Sequence, residues 1–395
     1  MTTIYNFDKV IDRRGTGSVK WDQTKEMFGH EDILPMWVAD MDFTAPPAAI
    51  TAMQERAAHG VFGYTFRTDS YLESIVQWQQ KRNEWQIEKD AIVGSPGVVT
   101  ALSIAVELLT APGDGIMIHV PVYHPFFRIV HNHKRTLVGN RLVETETGRY
   151  ELDLQAMEKQ IIDEQVKMLI LCHPHNPVGR VWTKEELLAI GNICMKHNVF
   201  VVSDEIHGDI VFAGHKHIPF ASLSEQFAAR SITCTAPSKT FNIAGLHSSI
   251  TIIQDEELRK QFIERLSTYA IYMENCFAQV AVEACYRHGE DWLEQLLVYL
   301  QQNVDTLQQF IADKLPEVKM FRPEGTYLGW LDCRAISNDP EVLKDMMFNK
   351  AKVAFNEGSM FGQDGAGFLR VNFGTPRALM LEGMERFAQA VRQSK

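Results

Sequence analysis

Between about residues 90 and 250, short apolar runs alternate with stretches in which apolar residues recur every three or four positions. This is the pattern of a mostly parallel sheet covered by helices. The clearest unit reads KMLILC (167–172), TKEELLAIGNICMKHN (183–198) and VFVVSDEI (199–206). Its middle stretch carries a helix start: Thr183 stands at the N-cap with Glu186 three residues on, and Leu187, Ile190 and Cys194 follow at helical spacing. A parallel βαβ unit is predicted. A second helix is predicted from about Gly97 in SPGVVTALSIAVELLT, ended by the turn APGDG (111–115), with IMIHV as the next strand.

The pattern changes after about residue 285. A long polar-faced helix (DWLEQLLVYLQQNVDTLQQFIADKL) precedes short strands such as TYLGWLD (326–332) and GFLRVNFG (367–374), mixed with further helices. The expectation is an α/β fold: a large domain over 51–285, a smaller α+β domain over 286–395, and an N-terminal segment, 1–50, that joins the smaller one.

Composition narrows the function. A chain of 395 residues with 45% hydrophobic residues can fill more than one core. No apolar run reaches the roughly 18 residues of a membrane span, and the opening MTTIYNFDKVIDRRG lacks a signal peptide's apolar stretch. A soluble, unprocessed, cytoplasmic chain is expected. Six scattered cysteines without a C-x-x-C pair fit thiols packed in a reducing compartment. A formal charge of -11 and the lack of a basic cluster argue against nucleic acid as a partner. The histidines of HGDIVFAGHKH (His207, His215, His217) and the CHPHNP group (Cys172, His173, His175) lack a recognised structural-zinc spacing, so no metal is expected.

Candidate chemistry gathers at strand ends, where open α/β sheets bind ligands. KMLILC leads to Asn176 in HPHNPVG, VFVVSDEI carries Asp204, and SITCT leads to Lys239 in TAPSKTFNIAG. Taken singly each has a plain reading. Lysine is usually solvated, Asp204 could be a loop or cap residue, and Asn176 a turn former. Tyr123 could be a wall residue between prolines, and Arg370 a surface strand residue paired with an acid. Taken together they suit one cofactor. An amine can hold an aldehyde as a Schiff base, and a carboxylate against a pyridine nitrogen keeps that ring protonated. This is pyridoxal 5'-phosphate chemistry. The phosphate would find free N–H groups where SPGVVT feeds a helix N-terminus, with the Ser238 hydroxyl beside the lysine.

The stretches PMWVADMDF (35–43), GVFGYT (60–65), SPGVVTAL (95–102), PVYHPF (121–126), HPHNPVG (173–179), SDEIHGDI (203–210), APSKTFNIAGL (236–246) and FLRVNFG (368–374) carry a resemblance. The chain resembles the fold type I pyridoxal-phosphate enzymes of the class I/II aminotransferase superfamily, most closely the cystathionine β-lyase or MalY/PatB-like C–S lyase branch, along essentially its whole length. The resemblance implies that Lys239 carries the cofactor as an imine and moves the substrate Cα proton. It implies that Asp204 pairs with the pyridinium nitrogen, Asn176 binds the ring oxygen and the substrate, and Tyr123 stacks on the ring and is a candidate catalytic group. Val98, Val99 and Ser238 would hold the phosphate, with Tyr64 reaching in from the second subunit of a homodimer. Arg370 would clamp the substrate α-carboxylate with help from the Ala39 backbone. Two positions depart from the wider superfamily: His247 stands eight residues after the lysine, where many members have arginine, and His207 three residues after the aspartate, where tyrosine is frequent. Both are expected to contact the cofactor. The implied reaction is α,β-elimination from cystathionine or a related S-substituted L-cysteine, giving pyruvate, ammonia and a thiol. An aminotransferase is the alternative, and a regulatory or partner-binding protein that retains the cofactor site is a third reading.

Overall fold

In the computed structural model, which describes residues 3–394, the apolar runs in the middle of the chain join one eight-stranded sheet. After a two-residue strand β1 (Leu34–Pro35), the sheet takes β2 (Ile92–Ser95), β3 (Gly115–Val120), β4 (Thr136–Glu144), β5 (Tyr150–Leu152), β6 (Val166–Cys172), β7 (Phe200–Asp204), β8 (Ser231–Thr235) and β9 (Ser249–Ile252). Their spatial order is β2-β9-β8-β7-β6-β3-β4-β5. From β8 to β4 every neighbouring pair is parallel, and the edge pairings are antiparallel. The chain leaves β3 towards β4 on one side, whereas β6, β7 and β8 run away on the other. The strand order therefore reverses between β3 and β6, and a crevice opens there at the strand C-termini.

The period-2 alternation of the strands decides which helix each residue meets. Ile116, Ile118, Met168, Ile170, Val202 and Ile232 pack with the helix Val98–Leu109. Met117, Leu169, Leu171 and Val201 point the other way, onto Leu187, Ile190 and Cys194 of the helix Lys184–Lys196. Because both faces are covered, β6 is apolar almost throughout and buries all but Lys167. The capping box read from the sequence is formed: Thr183 Oγ1 accepts the Glu186 N–H at 3.2 Å, and Glu186 Oε2 accepts the Thr183 N–H at 2.8 Å. The same Glu186 takes Arg180 Nη2 with both oxygens at 2.8 Å. Thr183→Ala is expected to cost about 1 kcal/mol, read as a lower denaturant midpoint.

The C-terminal strands are β10 (Lys319–Met320), β11 (Leu328–Asp332), β12 (Val353–Ala354), β13 (Asn356–Glu357) and β14 (Phe368–Asn372). β10, β11, β14 and β13 form an antiparallel sheet in that order, and β12 pairs with β1 in parallel. The N-terminal segment is thereby tied to the C-terminal part, with the Met36 N–H donating to Ala354 O at 2.9 Å. The long helix Glu290–Lys314 buries Trp292, Leu296, Leu300, Val304, Leu307 and Ile311 at helical spacing. Its core continues into Tyr71, Ile75 and Trp78 of the helix Asp69–Asn83 and Ala281, Val282 and Cys285 of the helix Cys276–His288. Among the described residues no helix is long and apolar enough to cross a membrane. All six cysteines are free, and five are buried.

Candidate functional site

Strand register brings the first three candidates to one edge. Cys172 is opposite Asp204, and Asp204 opposite Cys234, so β6, β7 and β8 end level with one another. The loop after β6 carries Asn176, β7 ends on Asp204 itself, and β8 runs through Ala236 into the one-turn helix Pro237–Thr240 that holds Lys239. That turn is anchored from below: Thr240 Oγ1 donates to Asp209 Oδ2 at 2.8 Å, and Asp209 Oδ1 accepts Trp78 Nε1 at 3.0 Å. Tyr123 follows β3 across the crevice, and Val98 opens the helix after β2.

These groups wall a cavity of about 340 Å³. Of the residues anticipated from sequence, Ala39, Val98, Val99, Tyr123, Asn176, Asp204, His207, Ser238, Lys239 and His247 all line it. Two do not. Tyr64 is 94% exposed on the surface of this chain, and Arg370 is buried next to the lining residue Asn176. The surface-strand reading of Arg370 is overturned, because the side chain is buried and has no acidic partner among the described residues. Its Nη1 donates to Asn176 Oδ1 at 3.1 Å, and its Nη2 to Trp37 O and Asn356 Oδ1, each at 2.6 Å. The guanidinium lies over the Phe361 ring at 4.9 Å, and its buried Nε has no partner. Burial pulls this group down to about 10. A cation so placed lacks its counter-ion, and a carboxylate would supply it. Because Arg370 occupies Asn176 Oδ1, the amide nitrogen of Asn176 is left as a donor with no partner among the described residues.

Lys239 Nζ donates to the Ala39 carbonyl at 2.5 Å. Burial brings its amine down to about 8, with Asp40 and Asp204 opposing that effect and Arg370 reinforcing it. Asp204 is pushed the other way: burial raises its carboxyl to about 7, although Oδ1 accepts the Ile206 N–H at 3.2 Å and Lys239 lies near. A buried acid with one satisfied oxygen is ready for a donor that carries positive charge. Tyr123 is held protonated by burial and by the Asp204 charge, so its hydroxyl is a donor. Burial keeps His207 neutral, and its buried Nδ1 is unpartnered. Ser248 adds a buried hydroxyl to the wall.

Sequence reasoning missed several contributors. Asn242 sits at φ 55°, accepts the Met41 N–H at 3.0 Å, and donates to Met41 O and Phe43 O, tying the segment after the lysine to PMWVADMDF. Tyr327 donates to the same Ala39 carbonyl as Lys239. An asparagine in FNIAG and a tyrosine opening a strand have no local signature of either role. The Ala39 expectation also shifts: its carbonyl is engaged by two donors, leaving only its N–H to serve an anion. The histidine groups have structural uses. His217 Nε2 meets Glu205 Oε2 at 3.0 Å, His173 packs on His217 at 4.4 Å, and His175 Nε2 lies 2.7 Å from Pro121 O. Among the described residues no three His, Cys, Asp or Glu side chains are grouped to hold a metal.

The aminotransferase class I and II family model matches residues 31–387. The chain is 46% identical to cystathionine beta-lyase PatB of Bacillus subtilis over 98% of this chain and 100% of that protein. It is 33% identical to protein MalY of Escherichia coli, over 98% and 99% of the two chains. Among solved structures it resembles cystalysin from Treponema denticola, which contains a pyridoxal 5'-phosphate cofactor, with a TM-score of 0.96 and 37% identity over the full length of both.

Proposed function

Because the chain belongs to the class I and II aminotransferase family, we propose that it is a pyridoxal-phosphate-dependent C–S β-lyase acting on cystathionine or a related S-substituted L-cysteine. The observation that carries the cofactor is the convergence of Lys239, Asp204 and the Val98 helix N-terminus on one cavity. The observation that favours elimination over transamination is the full-length likeness to the Bacillus subtilis lyase.

The residues fit the group. Asp204, lifted towards neutrality by burial, would regain a full negative charge against a pyridinium N–H. The free donors of Asn176 and Tyr123 suit a ring oxygen, and Ser238 with the first N–H groups of the helix Val98–Leu109 suits a phosphate. When bound, the cofactor supplies an electron sink for the pair left at Cα once its proton departs. Lys239 is then the base for that proton, because its lowered basicity keeps a large share of the amine unprotonated near pH 8. Arg370 orients the substrate by pairing with the α-carboxylate, and its fork is already held in plane by Trp37 O and Asn356 Oδ1. The pair at Cα forms a Cα=Cβ double bond as the Cβ–S bond breaks with departure of a thiolate, to which Lys239 or Tyr123 can return a proton. The enamine released is hydrolysed by solvent water to pyruvate and ammonia. Neutral His207 adds no positive charge that would compete for Asp204.

The proposal includes a homodimer in which Tyr64 completes the partner's phosphate site. Its support is an exposed apolar strip: Phe62, Tyr64 and Phe66 lie in one segment that packs on the start of the helix Cys276–His288, through the Phe62–Phe277 contact at 5.4 Å and the Gln279 bond to Phe66 O at 2.7 Å. Free, mostly buried thiols support a cytoplasmic setting. Incubation with cystathionine and no added 2-oxo acid is expected to yield pyruvate and free thiol in equal amounts. Amino-group transfer to an added 2-oxo acid without pyruvate would move the assignment to an aminotransferase.

A further inference from the structure

The Ala39 carbonyl is a shared acceptor. Lys239 Nζ donates to it at 2.5 Å and the Tyr327 hydroxyl at 2.9 Å, which together use both of its lone pairs. Tyr327 is fully buried, immediately before β11, with its ring 5.6 Å from that of His207. The backbone that delivers it is strained. Thr326 holds φ 68°, a left-handed conformation that β-branched residues almost never adopt. It is clamped there by its N–H to Ile210 O at 2.8 Å and by Oγ1, which accepts the Leu328 N–H at 3.1 Å. The preceding Gly325 is wedged so tightly that a Cβ would lie 2.7 Å from Ile210 O. Strain that persists in a segment over-determined by its neighbours, beside a candidate catalytic amine, motivates a functional reading of the side chain it aims.

We propose that Tyr327 is a positioning residue for Lys239: by occupying one lone pair of the Ala39 carbonyl it leaves the amine a single fixed acceptor and weakens that acceptor's hold on the ammonium form, which favours the free base. The other charged and titratable groups facing Lys239 are Asp40, Asp204, Arg370, His207 and Tyr123, and of these Arg370 also feels Tyr327 directly. The inference rests on Lys239 as the cofactor lysine, but it concerns the amine itself and can be read without turnover.

The test uses full-length protein stripped of cofactor, with the rate of Lys239 acetylation by trace acetic anhydride followed against pH by peptide mass spectrometry, and exposed lysines as internal controls. In Tyr327→Phe the midpoint for Lys239 is expected to rise by roughly half to one pH unit, the size of one net hydrogen bond, while the control lysines stay put. Thr326→Gly keeps the Tyr327 hydroxyl and tolerates the same φ but loses the Oγ1 clamp on the Leu328 N–H, and should move the midpoint in the same direction by less. An unmoved midpoint in Tyr327→Phe, whether or not the melting temperature falls, would reduce Tyr327 to packing and overturn the proposal. Failure of the cofactor assignment would look different: wild-type protein given pyridoxal phosphate would show no imine absorbance, whatever the acetylation profile.

Discussion

Lys239→Ala is expected to lower turnover of cystathionine by about 10⁴-fold or more and to abolish the near-visible imine absorbance of the holoenzyme. The size follows from the two duties assigned to one amine. It is the covalent anchor of the cofactor, and it is the group placed to move the Cα proton. The protein should still fold, since the substitution removes a buried amine whose charged form burial already disfavours. It also frees the Ala39 carbonyl from one of its two donors, and Tyr327 keeps the other bond. Pyruvate release and an absorbance scan on the same preparation check both parts. Retained imine absorbance in the variant would show that another amine carries the cofactor.

Asp204→Asn is expected to separate activity from stability. In the holoenzyme the amide cannot balance a pyridinium charge, and turnover should fall about 10²- to 10³-fold, the size of a lost, well-aimed electrostatic partner. In cofactor-free protein the same change should stabilise. Burial raises Asp204 from an ordinary 3.8 to about 7, so ionising it in the folded state costs free energy that the unfolded chain does not incur. That cost is absent below about pH 4, grows as pH rises through the interval, and is complete above about pH 7, where it is of order 4 kcal/mol. Asparagine removes it while keeping an oxygen for the Ile206 N–H. The difference in unfolding midpoint between variant and wild type should therefore be small at pH 4, intermediate at pH 5 and largest at pH 8. A difference that did not grow with pH would mean that Asp204 is not the uncompensated acid of the empty cavity.

The legible parts of the molecule are those whose cause is local. The βαβ unit around Thr183 was readable because a capping box, a 3.6-residue period and an apolar strand run are all statements about near neighbours. Asp204 within VFVVSDEI and the turn after β8 at Lys239 were readable for the same reason, since each lies at a mostly buried β-branched run. β7 itself stops at Asp204, two residues short of the stretch read as strand. Tyr64 was named from resemblance, and the single chain leaves it in solvent.

By itself, the sequence determined the βαβ order from KMLILC to VFVVSDEI and the identities of the amine, the acid and the amide at or just after the ends of three strands. Tertiary structure alone decided that β6, β7 and β8 end in register, that β3 lies beside β6 so that Tyr123 and Asn176 line one cavity, and that Arg370 is buried without an acid among the described residues. It alone brought Ala39, Lys239 and Tyr327 to one carbonyl, across separations of 200 and 288 residues. The physical reason is that hydrogen-bond acceptance, desolvation and charge balance depend on what lies within a few ångströms, and for this site those neighbours come from opposite ends of the chain.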